Sequence, residues 1–219
     1  MKEVAKLIKK AKFCIALTGA GISTESGIPD FRSKNGIWSK YDINEYAHLH
    51  NFISNPAKVW KMLREMYFKF KNAKPNDAHY ALAELEKMGY LKAVITQNID
   101  DLHQKAGSKE VIEFHGNFKT LTCLNCRNKY SIEEINLENI PPKCMCNGIL
   151  KPDIIFFGEN IPKEALIKSY EMANRCDIML VIGTSCLVYP AGELPIIAKK
   201  NRAKIIEINK QESKISRRA

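Results

Sequence analysis

The chain has 219 residues, 45% of them hydrophobic and 26% charged, with a formal charge of +10 and seven cysteines. That length suits one domain with an insertion or two small ones, and the balance is that of a globular protein rather than a disordered one. No run reaches the roughly 18 apolar residues that a membrane span requires, so no membrane partner is expected.

The charge sits at the ends: residues 1–12 carry +4 and residues 199–219 carry +6, which leaves 13–198 balanced. A basic end can touch nucleic acid or acidic partners, but the plainer reading is a solvated, partly disordered tail. With no basic stripe in the body, direct nucleic-acid binding is not expected. Met1 to Lys12 reads as an amphipathic lysine-rich helix. It lacks the apolar segment and cleavage site of a signal peptide, and the expected location is cytoplasmic.

The apolar run Phe13–Leu17 feeds into Gly19-Ala20-Gly21, where a strand passes into a glycine turn. Glycines allow a backbone to approach a pyrophosphate, whose charge the free N–H groups after the turn can hold. Thr24 stands where the third glycine of G-x-G-x-x-G belongs, so an ordinary tight turn is the competing reading. The following Gly27-Ile28-Pro29-Asp30-Phe31-Arg32 mixes a carboxylate, an aromatic and a guanidinium in six residues. That mixture suits a mobile loop closing over a charged ligand, with Gly27 and Gly36 as its flexible points.

Residues 31–75 hold no convincing strand. Asn55-Pro56 is a cap followed by proline at the first helical position, and Val59, Leu63, Met66, Tyr67 and Phe70 then recur at helical spacing as core. Asn76 or Asp77 caps a helix through Tyr80, Leu82, Leu85 and Met88, stopped by Gly89. The second apolar strand, Leu91–Thr96, ends in Gln97-Asn98-Ile99-Asp100. Amides and a carboxylate beyond a strand's carboxyl end can orient a sugar, or they can form an Asx-turn or helix cap. Val111 to Phe114 is strand-like and delivers His115 beside Gly116. A histidine there is either a general base or a hydrogen-bonded structural residue. His48, His50, His79 and His103 take the structural reading.

Residues 118–150 break the rhythm. Cys123-x-x-Cys126 and Cys144-x-Cys146 flank a polar loop with Pro141-Pro142. Two close pairs of thiols can close a tetrahedral site with no open position, so zinc bound there is structural; redox cysteines are the alternative. Cys14, Cys176 and Cys186 lie in or beside apolar runs and read as reduced core residues. Three further apolar runs, Asp153–Phe157, Ile178–Ile182 and Ala203–Ile208, alternate with helices opened by Pro162 and spanning Ala191 to Lys200. Five nearly continuous apolar strands interleaved with helices predict an α/β fold built on a doubly wound parallel sheet. Phe156-Phe157-Gly158-Glu159, Gly183-Thr184-Ser185 and Asn209-Lys210 again put small or polar groups at strand ends, and together these ends outline one crevice. Two aromatics at 156–157 either wall an apolar channel or fill core.

In order, G-A-G-I-S at 19–23, G-I-P-D-F-R-S at 27–33, T-Q-N-I-D at 96–100, H-G at 115–116, the four cysteines, F-F-G-E at 156–159 and G-T-S at 183–185 resemble the sirtuins, the NAD-dependent protein lysine deacylases. The resemblance implies a Rossmann-like NAD-binding domain made of 1–30, 76–117 and 151–219, with a helical module at 31–75 and a zinc module at 118–150 in a small domain. It implies that Gly19, Ala20, Gly21, Thr24, Asp30, Phe31, Arg32, Gln97, Gly183, Thr184, Ser185, Asn209 and Lys210 contact NAD. Ile28, Asn98, Ile99 and Asp100 would line the nicotinamide pocket. His115 would be the general base, with Asn98 and Asp100 as its catalytic companions. Ile155, Phe157 and Val188 would form a tunnel for the acyl-lysine, whose peptide would add as a strand beside Gly158, Glu159, Leu187 and Val188.

The implied chemistry consumes NAD as a co-substrate. Neutral nicotinamide leaves a cationic glycoside through an oxocarbenium-like transition state, which the acetamide oxygen captures if held in line and dry. His115 then takes a ribose proton, and the products are nicotinamide, O-acetyl-ADP-ribose and free lysine. Members preferring acidic acyl groups carry a Tyr-x-x-Arg pair, where this chain has Lys61-Met62-Leu63-Arg64, so a neutral acetyl group is expected. Sirtuins usually follow the strand matching Ile205–Asn209 with a further strand and helix, where this chain has a basic stretch. The expected partners are acetylated protein lysines and NAD, with zinc as structural metal and the chain a monomer. The alternatives are an NAD-dependent ADP-ribosyltransferase and a non-enzymatic zinc-module chromatin or nucleic-acid binder.

Overall fold

The computed structural model of the chain describes residues 2–218. Its N-terminal helix, Lys2–Lys10 (α1), falls within the lysine-rich segment; Met1 lies outside the described residues. The eight strands among the described residues are Cys14–Thr18 (β1), Leu91–Thr96 (β2), Val111–Glu113 (β3), Gly116–Cys123 (β4), Lys129–Ser131 (β5), Leu150–Ile154 (β6), Ile178–Ile182 (β7) and Lys204–Ile208 (β8). Five of them form a parallel sheet in the order β3-β2-β1-β7-β8. Chain order reverses at β1, which is the switch point at which open α/β sheets bind ligands.

Both faces of this sheet are covered, which is why its central strands are continuous apolar runs. Cys14 and Ala16 pack toward Leu7 and Ile8 of α1 and toward Leu82 and Leu85 of the helix Asp77–Lys87 (below, α6). Ile15, Leu17, Met179 and Val181 face the opposite layer, which later helices supply. The predicted cap of Asp77–Lys87 is Asn76, whose side chain accepts from the Ala78 amide at 3.0 Å. Of the apolar residues along it, Tyr80 and Met88 are half exposed; Leu82 and His79 are the buried ones.

The helices between β1 and β2 are Ile37–Lys40 (α2), Ile43–Tyr46 (α3), Leu49–Ser54 (α4), Pro56–Asn72 (α5) and α6. As the Asn-Pro signal predicts, the Asn55 side chain caps α5, and Val59, Leu63, Met66, Tyr67 and Phe70 are all buried. Downstream lie Leu102–Lys105 (α7), Lys163–Arg175 (α8) and Leu194–Lys200 (α9), the last two covering the second face of the sheet.

One strand differs from expectation. The run Asp153–Phe157 is not a parallel strand of the main sheet. The strand here is β6, shifted toward the N-terminus, and it pairs antiparallel with β4 in a second, three-stranded sheet of order β5-β4-β6. Its polar residues explain the change: Asp153 accepts from Thr120 and Thr122 hydroxyls at 2.6 Å each across the sheet, a pairing suited to a half-wet antiparallel face. Val111–Glu113 supplies the fifth parallel strand. The small sheet shares one apolar core with the helical insert, in which Phe52, Trp60 and Leu63 meet Phe118, Leu121 and Leu150.

The basic end also differs from a solvated tail. Ile215 is 2% exposed and packs into the core under α8 and α9. The Lys214 amide donates to the Ser185 carbonyl at 3.1 Å. Its ammonium lies over the Tyr189 ring and donates to the Tyr189 hydroxyl at 2.7 Å. No described helix is long and apolar enough to cross a membrane.

Candidate active site and metal centre

The turns that follow β1 and β7 meet closely enough that only glycine fits between them. Gly21 N–H donates to the Gly183 carbonyl at 2.8 Å, and a Cβ on Gly21 would lie 2.7 Å from the Gly183 Cα. The glycines of the first turn therefore serve backbone-to-backbone packing as well as any ligand. Gly36 differs from its predicted role as a flexible point: a Cβ there would meet the Asp30 and Phe31 backbone at 2.8 Å, so its lack of a side chain permits packing. Asp30 folds the loop locally, accepting from the Arg32 and Ser33 amides at 2.9 and 2.7 Å. Phe31 meets Trp38 at a tilt of 36° with centroids 5.2 Å apart and leans, like Ile28 and Ile99, on the helical core. Arg32 is exposed.

Asn98 and Asp100, two residues apart after β2, are both buried and both reach Ser23. Ser23 Oγ donates to Asp100 Oδ2 at 2.7 Å, while Asn98 Nδ2 donates to Ser23 Oγ at 3.1 Å and to the Gly19 carbonyl at 3.2 Å. The other Asp100 oxygen accepts from the Leu102 amide at 3.0 Å, so the carboxylate also makes the local turn that competed with a functional reading. Ser23 was absent from the expected site residues, although it lies inside the G-A-G-I-S motif. The signal that could have found it is a hydroxyl in the first turn after β1, facing polar residues at the end of adjacent β2.

Gln97 Nε2 donates to Thr184 Oγ1 at 2.9 Å, and Asn209 Nδ2 donates to the Thr184 carbonyl at 3.0 Å, linking the ends of β2, β7 and β8. Thr24 Oγ1 donates back to the Gly21 carbonyl at 2.9 Å. Lys210 pairs with Glu25 at 2.7 Å across the outer rim, both side chains largely exposed.

His115 stands 3.2 Å through Nδ1 from the Gln97 carbonyl. A carbonyl only accepts, so Nδ1 carries the proton and Nε2 holds the free lone pair. Burial lowers its pKa below the ordinary 6.5, with the Gln97 carbonyl pulling modestly the other way, so the ring is neutral at pH 7. The His115 carbonyl accepts from the Ile155 amide at 3.0 Å, which ties the base to the start of the 155–159 segment. That segment pairs on its other side with the helical insert: Phe157 N–H donates to the Ala47 carbonyl at 2.8 Å, and Leu49 N–H donates to the Phe157 carbonyl at 3.0 Å. Phe157 is part exposed, as are Gly158 and Leu187, whereas Val188 is half-buried. In α5, Leu63 and Met62 point into the core and the Arg64 guanidinium lies over Phe68 at 5.8 Å, so no tyrosine–arginine pair forms there.

His79 and His103 are structural, as expected, but more deeply than their sequence suggests. His103 Nε2 lies 2.9 Å from Thr18 Oγ1, which donates to Thr96 Oγ1 at 2.9 Å; Thr96 Oγ1 in turn accepts from the Asn98 amide at 3.1 Å. Burial pushes His103 down to about 3.

The four clustered cysteines hold their sulfurs within 4.8 Å of one another, with Cys123–Cys146 and Cys126–Cys144 at 3.5 Å. A tetrahedron with metal–sulfur bonds of about 2.3 Å has edges of about 3.8 Å, so the set fits zinc with no room for a fifth ligand. The single residue between Cys144 and Cys146 does not prevent closure. Cys14, Cys176 and Cys186 are buried free thiols, as predicted.

A Sir2 family model matches residues 19–190. An NAD-dependent protein deacetylase of Thermodesulfovibrio yellowstonii is 52% identical, over 97% of this chain and 85% of its own. An NAD-dependent protein deacylase of Pyrococcus abyssi is 46% identical, over 98% and 88%. Among solved structures, a Sir2 variant with deacetylated p53 peptide and 3′-O-acetyl ADP-ribose superposes with a TM-score of 0.97 at 44% identity, covering all of this chain and 90% of that one. A Sir2–p53 peptide–NAD+ structure gives 0.91 at 42%, with the same coverage. With its parallel sheet, its four-cysteine centre and this breadth of similarity, the chain belongs to the Sir2 family.

Proposed function

We propose that the chain is an NAD-dependent protein lysine deacetylase, which converts acetyl-lysine, NAD and one water into free lysine, nicotinamide and O-acetyl-ADP-ribose. The observation that carries the reading is a buried hydrogen-bonded cluster of Asn98, Ser23 and Asp100 next in sequence to Gln97, whose carbonyl holds neutral His115. In a pure binding module these groups would have no task. The division of labour proposed is an NAD-binding domain of 1–30, 76–117 and 151–219, and a small domain of the helical module 31–75 and zinc module 118–150.

Asn98 and Asp100 receive the nicotinamide end of NAD, in a pocket where Ser23 fixes both side chains. Gly19–Gly21 and Thr24, with Gln97, Gly183–Ser185 and Asn209, hold the phosphates and adenosine end, and Phe31 shields the reacting face from water. The acetyl-lysine enters beside Ile155, Phe157 and Val188, its peptide adding to the edge at Gly158–Glu159. When nicotinamide leaves, the acetamide oxygen takes its place on the ribose carbon. His115 Nε2, unprotonated, accepts the proton of the ribose hydroxyl that attacks the acyl carbon. Zinc, held by Cys123, Cys126, Cys144 and Cys146, supports the fold of the small domain and takes no part in the chemistry. The lack of a tyrosine–arginine pair supports a neutral acyl group. The reading also takes the protein as a cytoplasmic monomer, for which light scattering and fractionation are the checks.

The test is NAD consumption on an acetyl-lysine peptide, followed by mass spectrometry for wild type and His115→Ala. O-acetyl-ADP-ribose from wild type and almost none from the variant is the expected result. Labelled protein without O-acetyl-ADP-ribose would favour ADP-ribosyl transfer instead. Salt-dependent DNA binding with no NAD turnover would favour the binding module.

A further inference from the structure

Lys151 is a lysine in the wrong place for a solvated cation: its side chain is only 11% exposed, at the second position of β6. Its Nζ donates to the Ile154 carbonyl at 2.9 Å and to the Pro152 carbonyl at 3.1 Å. The third direction is taken by Glu159 Oε2 at 3.0 Å, and that carboxylate is itself 19% exposed. The same Oε2 accepts from the Phe156 amide at 2.9 Å, and the Phe156 ring faces the ammonium at 5.2 Å. Every ammonium proton is used, and one carboxylate oxygen joins the lysine to the backbone that follows it.

The pair closes a ring around residues 151–159. Inside it the backbone makes the contacts already described, to the His115 carbonyl through Ile155 and to Ala47 and Leu49 through Phe157. Removing two charges from water is costly, and an apolar pair of similar volume commonly stabilises a fold as well or better. What an apolar pair lacks is direction. Lysine and glutamate fix where the 156–159 backbone stops.

We propose that Lys151 is a positioning residue for the protein substrate: through Glu159 it sets the Phe156–Glu159 edge on which the acetyl-lysine peptide docks. This rests on the deacetylase reading given above. The phosphate and adenosine side of the crevice is built from the ends of β1, β2, β7 and β8, none of which hydrogen-bonds the pair. Loss of Lys151 therefore acts on peptide recognition and leaves NAD recognition alone.

The experiment compares wild type with Lys151→Met, Lys151→Arg and the double variant Lys151→Met/Glu159→Met. Melting temperature, zinc content and NAD affinity by calorimetry are measured first. Peptide KM at saturating NAD, and peptide affinity by fluorescence anisotropy, are measured next. Lys151→Met raises the peptide KM and Kd at least tenfold while NAD affinity stays within twofold, and Lys151→Arg recovers most of the loss. The double variant regains the melting temperature of wild type but not its peptide affinity, and it decides the question if Lys151→Met alone does not fold. Wild-type peptide affinity in either folded methionine variant, or an equal loss of NAD and peptide binding, overturns the proposal. Absence of turnover in wild type would count against the deacetylase reading, whereas the anisotropy series still decides the role of Lys151.

Discussion

The ring of His115 is fixed by a single backbone carbonyl, and that contact has a kinetic signature. Because burial holds its pKa below 6.5, Nε2 is available as a base in mildly acidic solution. The acid limb of the kcat–pH profile is expected to have its midpoint below 6.5, and a midpoint above that value would remove His115 from the role. Ser23 carries a second expectation. Ser23→Ala leaves a buried carboxylate and a buried amide each short of a partner, worth about 1–3 kcal/mol. In kcat/KM for NAD that is a fall of about ten- to a hundredfold; an unchanged value would show that Asn98 and Asp100 hold themselves in place. Residues of this kind were unevenly legible. His115, Asn98 and Asp100 stand out because polar groups at strand ends are conspicuous, whereas Ser23 is an ordinary serine until the sheet sets it against Asp100. Lys151 was hidden for the opposite reason: in a chain with 34 basic residues a lysine reads as surface.

At the scale of elements, the buried chain from His103 through Thr18 and Thr96 to Asn98 locks the end of β1 to the end of β2. His103 titrates at 6.5 when unfolded and about 3 when folded, so between these values the unfolded chain binds the extra proton. A group depressed in this way contributes stability above pH 6.5 and loses it as pH falls toward 3. Near pH 5 the difference is close to one proton, or a slope of about 1.4 kcal/mol per pH unit from this residue. Urea unfolding between pH 6 and 4 is expected to show a slope lower by about that amount in His103→Gln than in wild type; equal slopes would mean His103 does not titrate on unfolding. The zinc module is the other element with a clear response. Removing the metal with a strong chelator leaves four sulfurs close together with nothing to hold them, and the β4–β5–β6 sheet should then lose its amide-exchange protection along with activity. Full activity after complete zinc loss would refute a structural role. Elements were read well where local chemistry fixes them, as at Asn55-Pro56 and at Asn76. The run Asp153–Phe157 reads as a parallel strand because a short apolar run looks the same in a parallel sheet and at the edge of an antiparallel one. Only the threonines of β4, which lie about thirty residues away, show which sheet Asp153 joins.

Across the whole molecule, two insertions far apart in sequence fold as one body. Trp60, fully buried in α5, donates through Nε1 to the Leu150 carbonyl at 3.0 Å, and its core contains both Cys123 and Cys144. The helical module therefore has no core of its own to keep if the zinc module opens, and the reverse holds too. Nothing in either segment announces this partnership, since the apolar stripe of α5 states only that something must cover it. Trp60→Ala removes a large buried ring at a cost of about 3–5 kcal/mol and strands the Leu150 carbonyl. For a chain of this size that lowers the melting temperature by about 10 °C or more. Because the cysteine ligands sit in the same core, zinc should escape to a colorimetric chelator at a correspondingly lower temperature, in step with the loss of far-ultraviolet circular dichroism. A variant that melts earlier but holds its zinc to the wild-type temperature would show that the two insertions unfold separately. If they unfold together, the wall carrying Phe157 and the loop carrying Phe31 share one support, because both lean on that core. The peptide edge and the shield over the co-substrate would then be lost in a single step.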